Sequence, residues 1–221
     1  MLNEKVKLPK IQVLIYPWLQ MFTFHLPSLI HYSDTGLVRA TQVDLVDYVS
    51  WYLGITNVSE EIRLNLAVNN HTLLITDPRQ RRLIESYLNV SQIPEQYRSG
   101  KNYYQQEAEL FPAYELDQNS VLKDPKYFDY FKKACDPRIT PLFAEHESLI
   151  GLPKTYFMIT EWDALKDEGI LYSERLRNAG VDVTVKFYEN GFHGIALLVG
   201  ELTGYELADL MVKDMNFING K

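Results

Sequence analysis

The chain has 221 residues, of which 46% are hydrophobic and 23% charged, and it carries a formal net charge of −7 at pH 7. This length and composition are those of one globular α/β domain with a sizeable core, and they exclude a disordered chain. The acidic balance argues against a nucleic-acid partner, and the single cysteine, Cys135, excludes an intrachain disulfide. No run approaches the ~18 apolar residues of a membrane span, and the first ten residues lack the apolar core of a signal peptide.

The first predicted element is a strand. Residues 11–16, IQVLIY, are almost wholly apolar, which is typical of a strand buried on both faces of a parallel sheet, and Pro17 ends it. The next predicted element is a helix. It begins after Thr41, whose side chain can cap it together with Asp44, and it ends at Gly54.

A second helix is predicted from Asp77 as its N-cap and Pro78 at its first position. The chain then becomes irregular, and residues 92–135 hold many of its aromatic side chains: Tyr97, Tyr103, Tyr104, Phe111, Tyr114, Tyr127, Phe128, Tyr130 and Phe131. A long aromatic-rich stretch without clear periodicity is typical of a functional loop or lid, although an ordinary surface insertion has the same pattern. We predict a helical and aromatic lid-like insertion over about 36–135 within the domain.

Regular patterns return at residue 153 and describe a strand–helix–strand unit. KTYFMIT, residues 154–160, is an apolar strand, and the helix after it has acids in its first turn and Gly180 at its end. The strand VDVTVKFY, residues 181–188, is rich in β-branched residues, so the two strands should be parallel with a right-handed crossover. Residues 205–218 are predicted to form a closing amphipathic helix.

Two side chains with catalytic chemistry follow the strands of this unit. Asp163 comes just after the first strand, and His193, between Gly191 and Gly194, comes just after the second. Because the carboxyl ends of parallel strands share one edge of a sheet, we expect these two side chains to be neighbours. An Asp bonded to one imidazole nitrogen frees the other as a base, which supplies two-thirds of a nucleophilic triad. The alternative is that Asp163 only caps the helix and His193 is an ordinary loop residue.

The third member of such a triad is missing from the sequence. No serine stands in the context G-x-S-x-G, and no glycine-rich oxyanion motif is present. Metal binding is disfavoured because no second histidine or cysteine lies at ligand spacing from His193. The other histidines stand in polar or loop contexts and are interpreted as structural or solvated: His25, His31, His71 and His146. An unrelated α/β small-molecule binder would need a phosphate-cradling glycine loop, which the sequence also lacks.

Three segments carry a family resemblance: IQVLIYPWLQ, DPRITPLFA, and the stretch from LPKTYF to ENGFHG. Ten residues meet the pattern D-x-L-x-D-[ED]-G, a helix ending in Ala-Gly, a strand and then G-x-H-G: Asp163, Leu165, Asp167, Glu168, Gly169, Ala179, Gly180, Gly191, His193 and Gly194. The chain thereby resembles the hormone-sensitive-lipase-like α/β hydrolases, especially the group of arylacetamide deacetylase and neutral cholesterol ester hydrolase. The resemblance is strong over residues 136–194 and moderate over residues 9–20.

The resemblance implies the carboxyl-terminal half of an α/β-hydrolase fold, a mostly parallel sheet with flanking helices, in one domain over residues 1–221. It implies that Asp163 and His193 are the acid and base of a Ser-His-Asp triad. The implied substrates are carboxylic esters or aryl amides of apolar acids, with no cofactor and no metal. Since the nucleophile and oxyanion motifs are missing, the chain corresponds to a truncated hydrolase that we expect to be inactive alone. The alternative is a non-catalytic binding or regulatory remnant of such an enzyme.

The resemblance also implies a location. The parent protein would be anchored in the endoplasmic reticulum membrane by an N-terminal segment outside this sequence, with its catalytic domain in the lumen. Three N-x-S/T sequons, at Asn57, Asn70 and Asn89, are possible N-glycosylation sites and fit that compartment, although such triplets also arise by chance.

Three structural expectations follow. Asp163 should accept a hydrogen bond from an imidazole nitrogen of His193 at roughly 2.6–3.2 Å. Asp167 should lie in the first turn of its helix, where the dipole favours an acid. The stretch 92–135 and the helix at 42–53 should flank the mouth of an apolar pocket above the carboxyl edge of the sheet, as lid and acyl-chain wall.

Overall fold

The structure is a computed structural model, and it describes residues 7–33, 41–55, 57–98, 101–105, 110–198 and 205–218. Residues 36–40, where the predicted insertion begins, lie outside this set, as do the first six residues. Among the described residues, no helix has both the length and the apolar character needed to cross a bilayer.

The described residues form one parallel sheet with the order β1-β2-β3. Its strands are β1 (Ile11–Ile15), β2 (Lys154–Trp162) and β3 (Val183–Phe192). Val13 pairs with Tyr156 of the central strand, and Tyr156 pairs with Thr184 on the other side. All three strands therefore end at one edge of the sheet, and the predicted strand–helix–strand unit with parallel strands is confirmed.

The helices of the described residues lie between and after these strands: α1 (Pro27–Tyr32), α2 (Gln42–Leu53), α3 (Glu60–Ala67), α4 (Pro78–Tyr87), α5 (Glu95–Arg98), α6 (Pro125–Ala134), α7 (His146–Leu149), α8 (Lys166–Asn178) and α9 (Glu206–Ile218). The caps read from the sequence are present. Thr41 and Asp44 form a reciprocal capping box at the start of α2, and Gly54 ends that helix at φ 86°. Asp77 accepts a hydrogen bond from the Arg79 amide at the start of α4.

The irregular stretch contains more helix than its sequence pattern predicts. Residues 125–134 form α6, and short 3₁₀ turns occur at Asn102–Gln105 and Val121–Lys123. Aromatic side chains fill α6, and they favour strands as much as helices, so its pattern is ambiguous. Phe131 is buried against the main core, whereas Phe128 is exposed.

The sheet separates two apolar clusters of different size. Phe157 and Ile159 of β2 face the large cluster, into which most of the helices pack. Met158 faces the small cluster, which it shares with Tyr188 and with Met211 of α9. The predicted closing helix therefore covers the opposite face of the sheet, where Ala208, Met211 and Asp214 are its buried residues.

One expectation about β1 is wrong. We predicted a strand buried on both faces, but Ile11 is 42% exposed and Val13 is 40% exposed. The strand lies at the edge of the described sheet, and α9 packs against β3 rather than over the start of β1. An apolar run in the sequence is therefore not enough to predict that both faces of a strand are buried.

Candidate active site

Asp163 and His193 meet at the carboxyl edge of the sheet. Asp163 is the first residue after β2, and His193 is the first residue after β3. The imidazole Nδ1 lies 3.0 Å from Asp163 Oδ1 and 3.1 Å from Oδ2, so the predicted hydrogen bond is present. The Asp163 side chain is 1% exposed and that of His193 is 32% exposed, so a buried carboxylate holds a solvent-accessible ring.

The carboxylate of Asp163 is itself held by two donors. Its Oδ1 accepts from the Leu165 amide at 2.8 Å, and its Oδ2 accepts from the Thr160 hydroxyl at 3.3 Å. Asp163 therefore bonds to the turn that begins α8 and also orients His193. In the tautomer in which Nδ1 donates to this carboxylate, Nε2 has a lone pair that can act as a base.

The two glycines beside His193 serve different purposes. A side chain on Gly191 would meet the Thr160 Cγ2 methyl group at 2.6 Å, so this position allows β3 to approach β2 closely. Gly194 has φ 88°, a left-handed conformation that glycine adopts without steric cost, and it turns the chain just after His193.

Tyr16 also lies at this edge of the sheet, beside His193, and the sequence analysis did not identify it. It follows β1 directly, its φ is 32°, and its ring centroid lies 4.7 Å from that of His193. Burial raises the pKa of its phenol. The rule that located Asp163 and His193, namely a functional residue just beyond the carboxyl end of a strand, would also have found Tyr16.

A cavity of about 120 Å³ opens beside His193. Its walls are mostly aromatic and apolar: Trp18, Tyr32, Ser33, Leu45, Tyr48, Trp162, Asp163, Ala164, Leu165 and His193. Leu45 and Tyr48 belong to α2, so the prediction that the helix at 42–53 forms a pocket wall is confirmed. None of the described residues of the stretch 92–135 lines this cavity, so the lid role of that stretch stays a prediction.

The aromatic stretch contacts the start of α8 through Tyr104. Asp167 lies in the first helical turn, as predicted, and is fully buried. Its carboxylate accepts from the Ser28 amide at 2.8 Å and from the Tyr104 hydroxyl. Burial raises the pKa of Asp167. Asp167 therefore joins α1 and the turn at residues 102–105 to the sheet edge, a role beyond the dipole interaction we expected.

Glu161 is the centre of a second buried polar group. Its carboxylate lies 3.0 Å from Lys166 Nζ and 3.1 Å from Lys101 Nζ, and it accepts from the Tyr32 hydroxyl at 2.7 Å. Burial lowers the pKa of Lys166. Since Tyr32 also lines the cavity beside His193, this network fixes one wall of the candidate site.

The three sequons differ in accessibility. Asn57 and Asn89 are exposed. Asn70 is half-buried, its amide nitrogen donates to Asn65 Oδ1 at 2.8 Å, and its oxygen accepts from the Tyr114 hydroxyl. In the part of the chain that the structure describes, no three His, Cys, Asp or Glu side chains are grouped to hold a metal ion.

Known proteins with hydrolase names are similar to this chain in sequence. A family described as alpha/beta hydrolase fold matches residues 95–197. Neutral cholesterol ester hydrolase 1 of Bos taurus is 32% identical over 206 residues, which are 93% of this chain and 45% of that protein. Arylacetamide deacetylase of Oryctolagus cuniculus is also 32% identical over 206 residues, which are 93% of this chain and 46% of that protein.

A solved structure supports the same fold. Carboxyl esterase 2 from the mycorrhizal fungus Tuber melanosporum superimposes with a TM-score of 0.54 at 14% identity, covering 97% of this chain and 45% of that one. The chain thus has the α/β-hydrolase fold. In sequence it is similar to the hormone-sensitive-lipase-like group of neutral cholesterol ester hydrolase and arylacetamide deacetylase, as its sequence pattern predicted. It spans about half the length of these curated relatives.

Proposed function

We propose that this chain supplies the acid and base of a serine-dependent carboxylic ester hydrolase. The observation that carries the proposal is the hydrogen bond between Asp163 and His193 at the carboxyl edge of the sheet, beside an aromatic cavity. The substrates are esters, or aryl amides, of apolar acids, which the mostly apolar cavity walls favour. Water and the substrate are the only reactants required.

In this mechanism, His193 Nε2 takes the proton of a serine hydroxyl as that oxygen attacks the substrate carbonyl. The imidazolium then gives the proton to the departing alcohol or amine, and a water repeats the sequence on the acyl-enzyme. Asp163 keeps the ring in the productive tautomer and stabilises its positive charge. The 221 residues contain no serine in an elbow context, so in this proposal the serine and the oxyanion donors come from polypeptide outside them.

The test is esterase turnover of purified, monomeric 1–221 beside its His193→Ala variant, with p-nitrophenyl esters. In a comparable enzyme, loss of the nucleophile costs roughly 10⁶ in turnover. An Asp–His pair that only activates water supplies roughly 10²–10⁴. We expect no rate above background from the isolated chain, and a clear His193-dependent rate would contradict the assignment of the serine to other polypeptide.

The positive arm of the test uses in-frame coding sequence upstream of Met1. A chain extended to include G-x-S-x-G and H-G-G-G motifs should hydrolyse the esters, and His193→Ala should abolish that activity. Degenerate upstream motifs, with no hydrolysis, would instead favour the alternative that the chain is a binding or regulatory remnant. The observation in favour of that alternative is the absence of an elbow serine from the 221 residues.

We also propose a lumenal endoplasmic reticulum location for the parent protein, with an N-terminal membrane anchor outside this sequence. The exposed sequons at Asn57 and Asn89 support it. Asn70 is half-buried and its amide nitrogen contacts Asn65 Oδ1, which leaves little room for a glycan, so we expect this site to stay unmodified. Peptide mapping after endoglycosidase H treatment should find glycans at Asn57 and Asn89, and a fully unmodified secretory-cell product would contradict the location.

A further inference from the structure

Helix α2 presents three large aromatic side chains to solvent. Tyr48 is 45% exposed, Trp51 is 60% exposed and Tyr52 is 64% exposed. Their spacing of three and four residues places them on one face of the helix, which we call the aromatic face. The opposite face is buried in the core through Leu45, Val46, Val49, Ser50 and Leu53. The core therefore holds α2 through the buried face, and the aromatic face is exposed among the described residues.

The aromatic face adjoins the cavity beside His193. The rings of Tyr48 and Trp51 are in edge contact, with centroids 5.7 Å apart. Tyr48 also lines the cavity, together with Trp162, which is itself 45% exposed. Aromatic side chains thus extend from the outside of α2 to the cavity that His193 also lines.

The charges of α2 and α3 argue against an anionic surface as the partner of this face. Residues 41–67, which include α2 and α3, contain four acids and a single base, Arg63, which is paired with Asp47 at 2.7 Å. Tyr and Trp are the residues that prefer the boundary between lipid headgroups and acyl chains. A polybasic segment would attract anionic lipids, but an acidic one is repelled by them.

We propose that the aromatic face of α2 binds the surface of a neutral, zwitterionic phospholipid membrane. Apolar molecules would then pass from the bilayer along Tyr48 into the cavity beside His193. The inference rests on the proposed function only for what enters the cavity, because membrane binding itself requires no hydrolysis. It adds a second membrane contact to the anchor proposed above.

The test is co-flotation of the purified chain with phosphatidylcholine vesicles, and with vesicles that also contain phosphatidylserine. Trp51→Ser and Tyr52→Ser alter exposed positions, so both variants should keep the wild-type circular dichroism. Each should lower the vesicle partition coefficient about ten-fold, which corresponds to the loss of one large apolar contact. The matched control is Phe217→Ser, at a 68% exposed aromatic on α9, and it should leave the partition coefficient unchanged.

The outcomes separate this inference from its alternatives. Phosphatidylcholine binding that Trp51→Ser weakens and Phe217→Ser does not would support it. No vesicle binding by the wild type, or binding that appears only with phosphatidylserine, would overturn it. So would self-association that Trp51→Ser abolishes without vesicle binding, since the face would then contact a second copy. An inactive chain that binds vesicles would refute neither this inference nor the proposed catalytic pair.

Discussion

At the scale of single residues, close packing beneath the catalytic pair depends on one glycine. Gly191 brings β3 against Thr160, whose hydroxyl donates to Asp163 and whose methyl group would be 2.6 Å from an added Cβ. The same threonine therefore orients the acid and defines the space beside β3. A substitution of Gly191 or Thr160 should therefore alter the geometry of the Asp163–His193 hydrogen bond.

We expect Gly191→Ala to lower the free energy of unfolding by about 1–3 kcal/mol, because the methyl group overpacks the contact with Thr160. Urea denaturation measures this loss. Thr160→Ser removes the clashing methyl group and keeps the hydroxyl, so the double variant should recover part of the stability. Equal losses in the presence and absence of Thr160→Ser would show that the strain lies elsewhere.

Glu168 should make stability depend on pH. It is fully buried, it accepts from Gln20 Nε2 at 3.0 Å, and burial raises its pKa from 4.5 to about 8. Between these values the folded state holds a proton that the unfolded state has lost. The contribution of Glu168 to the free energy of unfolding is therefore greatest below pH 4.5, and it decreases as the pH rises to about 8.

We expect the wild type to lose up to about 1.4 kcal/mol per pH unit relative to Glu168→Gln over this window. Glutamine does not titrate, so the difference between the two curves isolates this carboxyl group from the other buried acids. The measurement is urea denaturation of both proteins from pH 5 to 8. Parallel curves would mean that Glu168 is already ionised in the folded protein.

At the scale of elements, α9 is attached to the small apolar cluster through a polar contact. Tyr188 donates to Asp214 at 2.9 Å, and Lys186 Nζ lies 2.9 Å from the same carboxylate. Burial, followed by the hydrogen bond to Asp214, raises the pKa of Tyr188. The Tyr188 hydroxyl therefore stays protonated and donates a hydrogen bond. The packing of α9 depends on Asp214 as the acceptor of that bond.

We expect Asp214→Ala to destabilise the docking of α9 by about 1–3 kcal/mol, because it leaves the buried Tyr188 hydroxyl without an acceptor. Amide hydrogen exchange should speed up in α9 while that of β2 changes little. Lys213→Ala, at the neighbouring exposed position, is the control and should leave the exchange rates unchanged. Equal effects of the two substitutions would place the stabilising contact elsewhere.

At the scale of the whole molecule, the unpaired edge of the sheet is the feature that most favours association with other chains. β1 is unpaired on one side within the described residues, and Ile11 and Val13 are partly exposed there. An apolar, unpaired strand edge is a template for association with other chains.

We expect Val13→Lys to reduce concentration-dependent association of the 221-residue chain, because a charged side chain on an edge strand opposes strand pairing. Sedimentation velocity over a range of protein concentrations measures the change. Ile30→Lys alters a 44% exposed apolar residue on α1, away from the sheet, and serves as the control. An equal effect of both substitutions would indicate a general gain in solubility rather than a blocked edge.

Short-range patterns in the sequence were enough to determine much of the fold. The capping box of α2 and the Asp77 cap of α4 depend on contacts within a few residues. Each element of the strand–helix–strand unit leaves its own period in the sequence, and the order of the elements then predicts parallel strands. The pairing of Asp163 with His193 followed from that unit, since parallel neighbouring strands must end at the same edge.

Other features were decided only by the tertiary structure. Tyr32 reaches Glu161 across 129 residues and Gln20 reaches Glu168 across 148, and such contacts leave no periodic trace in the sequence. The same holds for the exposed face of β1 and for the contact of the aromatic stretch with Asp167. Which side chains cover a surface depends on how distant segments pack together, and local propensity carries no information about that.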